Sequence, residues 1–392
     1  MKANGGVMEK YIENDILYIC LEGRISSDNV DALEMEIRNL IGDRTEYAFD
    51  AEKLEYISSA GLRLLLKLKK DNDIMVVNVS SAIYEIFEIT GFSKIIKIKR
   101  QMRQLAIEGY EKIGEGAMGA VYRIDSDTIV KVYNLDDLGN IEIEVAKAKD
   151  AFLLGIPTAI PFDIVKVGDK YGAVFELIKS TNCNEYFLRH LNQAEEFYKK
   201  YAEFIKSIHS VETKDNIFPK IKDMYLEQLK AVKNVLSDEV YYKLFEDVNK
   251  ISDMYSVIHG DIQLKNLMIS DEEIVLIDME TLSVGNPIFE FAGLYMTYIL
   301  FNKHEPNNTE KFLGINKDTS SQLFYSTVRN YYNYLPYEEY NSVLKQIEML
   351  GDIRFLFLIY SVGIGIPELR ETRIRDSVET LEKYVKGETN GF

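Results

Sequence analysis

The sequence predicts two folded parts in series, an α/β domain followed by an α+β domain of two lobes. Three observations carry the prediction. Strands alternate with helices over residues 9–100, a glycine-rich hairpin and further strands follow from residue 109, and a long tyrosine-rich helical stretch closes the chain. Alternating β and α segments indicate an open sheet with helical cover. A small strand-rich lobe ahead of a larger helical one suits an enzyme with a cleft. The 392 residues are enough for two or three domains with sizeable cores.

In the first part, residues 16–21 are β-branched and aromatic and read as a strand. Ser26 or Ser27 can cap a helix over 28–41, where Val30, Leu33, Ile37 and Leu40 recur at helical spacing. Residues 47–49 form a short strand ending at Asp50. Ser58 and Ser59 precede a helix carrying Leu62, Leu65, Leu66 and Leu68. A strand at 74–79, a helix at 81–90 stopped by Gly91 and a strand at 95–98 complete the unit. The charged, polar run 97–104 has no apolar period and marks the junction. The expected division is a first domain at 1–100, a linker at 101–108, a small lobe at 109–180 and a large lobe at 181–392. Strands are expected at 128–133 and 171–178, and the apolar stretch 289–301 reads as a buried helix.

Composition excludes several classes. Hydrophobic residues make up 46% and charged residues 28%, with only 7 prolines, so the chain is not of the disordered kind. The formal net charge of −17 repels phosphate backbones and disfavours nucleic-acid partners. Cys20 and Cys183 allow no metal or redox spacing, and low cysteine usage fits a reducing cytoplasm. Residues 1–10 lack the apolar core of a signal peptide, and no apolar run has the length to span a bilayer.

Four features of the second part follow the order that phosphoryl transfer needs. The first is Gly114-Glu115-Gly116-Ala117-Met118-Gly119-Ala120-Val121, which fits G-x-G-x-x-G-x-V. Glycines let a backbone approach phosphate closely and donate N–H groups. Alone, the motif also fits an ordinary hairpin turn. Here it runs into a strand at 120–124, whereas a dinucleotide-binding unit needs a helix at that point. The second is Lys131, 17 residues after Gly114 in a β-branched run. It reads either as an outward strand lysine or as a contact to the α and β phosphates. A partner carboxylate comes from Glu144 or Glu142, with Glu144 favoured; either also fits a solvated helix face.

The third feature is His259-Gly260-Asp261-Ile262-Gln263-Leu264-Lys265-Asn266, and the fourth is Asp278, which ends the apolar run from Ile274. Phosphoryl transfer is mostly positioning and charge stabilisation, so the site must hold Mg²⁺ through oxygen ligands. Asn266 and Asp278 supply hard oxygens. Asp261 can orient an acceptor hydroxyl and take its proton. The four histidines (His190, His209, His259, His304) show no ligand spacing.

On these residues the stretch from about 106 to 392 resembles the aminoglycoside phosphotransferase and choline kinase branch of the protein-kinase-like superfamily. Gly155-Ile156-Pro157-Thr158, Ile205-Lys206-Ser207-Ile208-His209 and Ser283-Val284-Gly285-Asn286-Pro287-Ile288-Phe289-Glu290 extend the likeness. The resemblance implies a bilobal kinase-like fold. It implies Lys131 on ATP phosphates beside Gly114, Gly116 and Gly119, with Glu144 holding the lysine. It further implies Asp261 as catalytic base, Asn266 and Asp278 on Mg²⁺, and backbone from Glu176 to Ile178 on adenine. Met279-Glu280 follows Asp278 in place of Phe-Gly, and no Ala-Pro-Glu follows, which favours a small-molecule acceptor over a peptide. Glu290 and Gln263 depart from the family's usual residues and bear on acceptor identity.

The segment from Asp50 to Arg63, which contains Ile57-Ser58-Ser59-Ala60-Gly61-Leu62, resembles the STAS domain of bacterial anti-sigma factor antagonists over about residues 9–100. That family implies phosphorylation of a serine at a helix N-terminus, carried here by Ser59, with Ser58 as the other candidate. A phosphate dianion there meets free N–H groups and the positive end of the helix dipole; equally, both serines fit simple caps. The implied partner is an anti-sigma-factor-like kinase or phosphatase. Three functions follow from the sequence: an ATP- and Mg²⁺-dependent kinase of a small molecule with a regulatory STAS module, a serine kinase acting on its own or another STAS domain, and a non-catalytic nucleotide-sensing interaction protein.

Overall fold

Leu17, Ile19 and Leu21 are at most 3% exposed, while Ile16, Tyr18 and Cys20 are half-buried and Glu22 is exposed. That alternation places one face of a strand on a core. In the computed structural model it builds a five-stranded sheet. The structure describes residues 9–388 other than 43, 117, 135–136, 214–216, 271–272 and 306, and the side chain of His304; Ala117 of the glycine motif thus lies outside the described residues.

The chain divides into two compact units, residues 1–106 with 164–169 and residues 107–163 with 170–392. In the first, β1 (Lys10–Glu13), β2 (Ile16–Ile25), β3 (Glu46–Ile57), β4 (Asp73–Val79) and β5 (Lys97–Arg100) lie side by side in chain order. β1 runs antiparallel to β2, and β2 to β5 run parallel. Parallel neighbours require crossovers, which α1 (Val30–Ile41), α2 (Ser59–Asp71) and α3 (Ser81–Ile89) provide. Phe49, Leu65, Leu68, Val76 and Phe87 close the core between sheet and helices.

Three expectations are corrected here. The strand at 47–49 does not stop at Asp50 but continues to Ile57, since Ala51, Leu54 and Ile57 are buried further along it. Asp50 is itself buried and accepts the Tyr11 hydroxyl at 2.7 Å. The last strand is shifted to Lys97–Arg100. The charged run 97–104 holds that strand and β6 (Arg103–Gln104), whose residues pair with Val165 and Lys166. Ladder hydrogen bonds are blind to side-chain charge, so a polar run forms an edge strand without an apolar signal.

The second unit begins with the hairpin β7 (Glu111–Gly116) and β8 (Gly119–Arg123), then β9 (Thr128–Tyr133), helix α4 (Leu138–Leu153), the start of β10 (Pro161–Val167), whose residues from 164 on belong to the first unit, and β11 (Lys170–Glu176). β8 and β11 flank β9, both antiparallel. The helical part comprises β12 (Thr181–Asn182), α5 (Cys183–Arg189), α6 (Ala194–His209), α7 (Ile221–Ala231), α8 (Asp238–Lys250), the short strands β13 (Ser256–Ile258), β14 (Leu267–Ser270), β15 (Glu273–Leu276) and β16 (Ser283–Gly285), then α9 (Ile288–Tyr295), α10 (Phe301–His304), α11 (Asn308–Leu313), α12 (Lys317–Tyr331), α13 (Tyr337–Phe357) and α14 (Arg370–Val385). The apolar stretch 289–301 is helical and largely buried, as expected, but its middle, Met296–Leu300, is a π-helical turn. Among the described residues no single helix is long and apolar enough to cross a membrane.

Candidate active site

β13 pairs with β16 and delivers His259, Gly260 and Asp261 at its C-terminal end. The turn is gripped on both polar faces of its backbone. The His259 and Gly260 N–H groups donate to Glu290 Oε2 and Oε1 at 2.7 and 2.9 Å. Thr281 Oγ1 donates to the His259 carbonyl at 2.6 Å, and Arg354 Nη1 donates to the Gly260 carbonyl at 2.9 Å. Further along, the Tyr201 hydroxyl donates to the Ile262 carbonyl at 2.6 Å, and the Leu264 N–H donates to the Tyr298 hydroxyl at 3.1 Å. Gly260 adopts φ +82°, and a Cβ there would come within 3.0 Å of the Thr281 carbonyl oxygen, so the turn requires glycine.

Glu290 is fully buried at the start of α9. Burial pushes its carboxyl upward, but the hydrogen bond and charge of His209, 3.5 Å away, together with His259, leave it below the usual carboxylate range. His209 Nδ1 in turn lies 2.8 Å from the Tyr331 hydroxyl. Glu290, which the sequence connects with acceptor identity, is therefore occupied by the loop backbone. His259 also serves the loop: the Asp261 N–H donates to its Nδ1 at 3.3 Å, and its Nε2 faces the Ile277 carbonyl at 3.3 Å.

The β14–β15 hairpin explains the Asn266 to Asp278 spacing. Leu267 pairs with Leu276, and the Ile277 N–H donates to the Asn266 carbonyl at 3.0 Å, so both ends of the hairpin meet. Asn266 Nδ2 donates at 2.8 Å to both the carbonyl and Oδ2 of Asp261. Asp278 sits in the left-handed region at φ +68°, a strained placement of the kind found at functional positions. Burial holds the Asp261 carboxyl above its ordinary range, with Arg354, His259 and the Asn266 bond acting against it. Glu280 is likewise raised, by burial and then by Asp278.

Lys131 comes from β9. Its Nζ lies 2.6 Å from Glu144 Oε1 and 3.5 Å from Asp278 Oδ1. Glu144 is buried on α4 while Glu142 is exposed, so the favoured carboxylate is the one in contact. The Tyr133 hydroxyl donates to the second Glu144 oxygen at 3.0 Å. Burial alone lowers a lysine; the charges of Asp278 and Glu144 outweigh it and the ammonium is held above its ordinary value. Glu144, Lys131 and Asp278 thus form one chain of contacts and Asn266 with Asp261 another, the two joined through the Ile277 N–H bond to the Asn266 carbonyl.

The glycines divide. A Cβ on Gly119 would come 2.0 Å from the Val132 carbonyl oxygen, so β8 needs glycine to lie against β9. A Cβ on Gly116 would meet nothing within 4 Å, and one on Gly114 only ordinary contacts. Glu176 ends β11; its N–H donates to the Ile160 carbonyl at 2.9 Å, and Ile178 follows outside the strand. Ser58 and Ser59 belong to the first unit. Ser58 caps α2, its Oγ accepting the Gly61 N–H at 3.5 Å, while Ser59 is the exposed first residue of the helix. Sequence reasoning missed Arg354, Tyr201, Tyr298 and Thr281; the single usable signal was an arginine inside the apolar run of α13.

Among the described residues no three His, Cys, Asp or Glu side chains gather where they could hold a metal ion. Asp278 and Asn266 nevertheless fit Mg²⁺, which is commonly held by one or two protein oxygens plus substrate phosphates. Asn266 commits its Nδ2 to Asp261, and the remaining Oδ1 is an oxygen ligand of the required type.

Comparison with known proteins agrees with this geometry. The profile described as the phosphotransferase enzyme family matches residues 109–306, and that of the STAS domain matches residues 7–105. A Bordetella bronchiseptica protein described as an anti-sigma factor antagonist, BtrV, is 33% identical over 90 residues, covering 21% of this chain and 77% of the relative. Among solved structures, a thermostable mutant of aminoglycoside phosphotransferase APH(4)-Ia superposes with a TM-score of 0.50 at 11% identity, covering 72% of this chain and 96% of that one. Its ternary complex with ADP and hygromycin B superposes with a TM-score of 0.50, covering 72% and 95%. At that identity the structures establish the kinase-like fold. With the family profile covering half the chain, this protein belongs to the phosphotransferase enzyme family and carries a STAS domain ahead of its kinase-like fold.

Proposed function

We propose that the protein transfers the γ-phosphoryl group of ATP, with Mg²⁺, to a hydroxyl of a small molecule, and that the STAS domain regulates it. The observation that carries this reading is the continuous set of contacts from Glu144 through Lys131 to Asp278, beside Asn266, whose Nδ2 donates to the carbonyl and Oδ2 of Asp261. Lys131 would bind the nucleotide phosphates. Gly114, Gly116 and Gly119 would line their other side, and backbone from Glu176 to Ile178 would bind the base. Asp278 and Asn266 would hold the cation, which supplies charge stabilisation when bound. Asp261 orients the acceptor hydroxyl: a bond forms between its oxygen and the γ-phosphorus, the bond to the bridging β,γ-oxygen breaks, the proton passes to the Asp261 carboxylate and ADP leaves. A carboxyl raised by burial is better matched to accepting that proton.

The test is acceptor-dependent ADP release across a screen of small alcohols and amines. Asp261→Ala should lower kcat by about 10²–10⁴-fold, and Asp278→Ala should abolish turnover. Unchanged rates in both variants would sink the reading.

A second reading rests on the exposure of Ser59. The Ser58 hydroxyl is committed to the cap, and Ser59 stands free at the helix start. Acting as a serine kinase, the protein would phosphorylate Ser59 on its own or another STAS domain. Intact mass after incubation with Mg²⁺ and ATP decides: a phosphate absent in Ser59→Ala supports this reading, and equal incorporation in that variant removes it.

A further inference from the structure

We propose that Arg354 is a positioning residue for phosphoryl transfer, fixing the Gly260 carbonyl so that the loop presents Asp261 to the acceptor. The inference rests on the phosphotransferase reading above. Arg354 lies on α13, outside residues 109–306 that match the family profile. Glu290 takes the two N–H groups of the His259–Gly260 turn, and Arg354 takes the carbonyl on the opposite side. The Gly260 carbonyl shares its peptide plane with the Asp261 N–H, which donates to His259 Nδ1 at 3.3 Å, so without Arg354 the plane leading into Asp261 loses its shorter anchor.

The surrounding packing is arranged for this contact. α9 and α13 cross closely at two glycines. A Cβ on Gly293 would come 3.2 Å from the Gly260 carbonyl oxygen and 3.3 Å from Arg354 Nη1. A Cβ on Gly351 would come 2.6 Å from Tyr295 Cδ1 and 3.2 Å from the Ala292 carbonyl oxygen. Larger residues at either place would force the helices apart or fill the path of the guanidinium. Burial lowers the guanidinium, but Tyr225 and the carboxylates of Asp261 and Glu290 together hold it above its ordinary value. The planar guanidinium addresses a carbonyl and its anionic neighbours together, which a lysine ammonium does not reproduce.

The experiment compares wild type with Arg354→Gln and Arg354→Lys in the full chain. ADP release from Mg²⁺-ATP, with water as acceptor, is measured beside calorimetric affinity for a non-hydrolysable ATP analogue and peptide-level hydrogen exchange. Misplacing a reacting group by about 1 Å costs about 10²-fold in rate, and that slowing is expected in both variants with analogue affinity unchanged. Exchange should rise over residues 257–263 and stay unchanged in α11 and α12. Gly293→Ala, which keeps Arg354 but crowds its carbonyl partner, should reproduce the slowing. A wild-type rate and wild-type loop protection in Arg354→Lys overturn the proposal, as does exchange that rises throughout the helical part. Should wild type release no ADP to water, the phosphotransferase reading is decided by the acceptor screen above, and exchange over residues 257–263 decides the proposal: a rise confined to them in both Arg354 variants supports it, and wild-type protection there overturns it.

Discussion

The loop at residues 259–264 and the glycine hairpin, which the proposed function assigns to one site, are held in opposite ways. Residues 259–264 are tied by buried and half-buried side chains from three helices, the π-helical turn and Thr281: Glu290 of α9, Arg354 of α13, Tyr201 of α6 and Tyr298 of the π-helical turn. The hairpin residues from Glu111 to Gly116 are mostly exposed, with the Lys112–Glu115 ion pair on the surface. The difference follows from what each must do. A reacting carboxylate tolerates little displacement, so its backbone is fixed from several directions. A phosphate-covering backbone must admit a ligand and close over it, so it is left to ladder hydrogen bonds.

The sharpest way to break this contrast is Glu290→Ala. It strands two buried N–H groups and the His209 ring, and should cost about 3–5 kcal/mol, read as a lowered denaturant midpoint. A loss no larger than that of a surface substitution would show that the loop is held elsewhere. Next come the two glycines. Gly119→Ala drives a Cβ into the Val132 carbonyl oxygen and should destabilise by about 1–3 kcal/mol. Gly116→Ala meets open space, so it should leave the denaturation midpoint in place and weaken ATP binding instead. Equal effects from the two substitutions would erase the distinction between packing glycine and ligand glycine.

The contrast extends to a second pair of buried carboxylates. Glu290, with two N–H donors and His209, is held below its ordinary range. Asp352 on α13 has no described hydrogen-bond partner for Oδ1, and burial, opposed by Lys303 and reinforced by Glu348, pushes it up to about 7. Glu348, also buried, is pushed up to about 7. Both groups bind more protons folded than unfolded, so their contribution is fully present below about pH 4 and is lost as pH rises through 7. Asp352→Asn should therefore raise thermal stability at pH 8 and flatten the decline between pH 5 and 8; an unaltered slope would refute the assignment. The smallest effect is expected in the first unit. Ser58→Ala removes the α2 cap and should cost about 1 kcal/mol, while the exposed Ser59→Ala should be near neutral.

Local chemistry was legible in the sequence wherever a backbone pattern and a side-chain pattern coincided. Thr128–Tyr133 was placed to the residue, because β-branched alternation bounded by Asp127 and Asn134 has few other readings. Asn266 and Asp278 stood out as a spaced pair because the β14–β15 hairpin lies between them and brings its two ends together. What the sequence concealed depends on side chains meeting from distant positions. Asp50 looked like a strand end, yet Tyr11 supplies its hydrogen bond from 39 residues away. Glu290 read only as a departure from the family's usual residue, and its bonds to the His259 and Gly260 N–H groups, about 30 residues earlier, leave no local trace. Arg354 carries no local motif, and its partner carbonyl lies 94 residues earlier.

The π-helical turn at Met296–Leu300 bears on how this chain tolerates changes of length. Such a turn holds one residue more than a regular helix would. Its wider circuit points Tyr298 at the catalytic loop while the Tyr298 carbonyl accepts Ser320 Oγ at 2.7 Å and Asn302 Nδ2 at 3.2 Å. Deleting one residue there would restore an ordinary helix but rotate one flank by about 100° relative to the other. The Tyr298 hydroxyl would then face away from Leu264, although every remaining residue kept its identity. The phase of this helix, as much as its composition, is what an insertion or deletion in the segment would disturb.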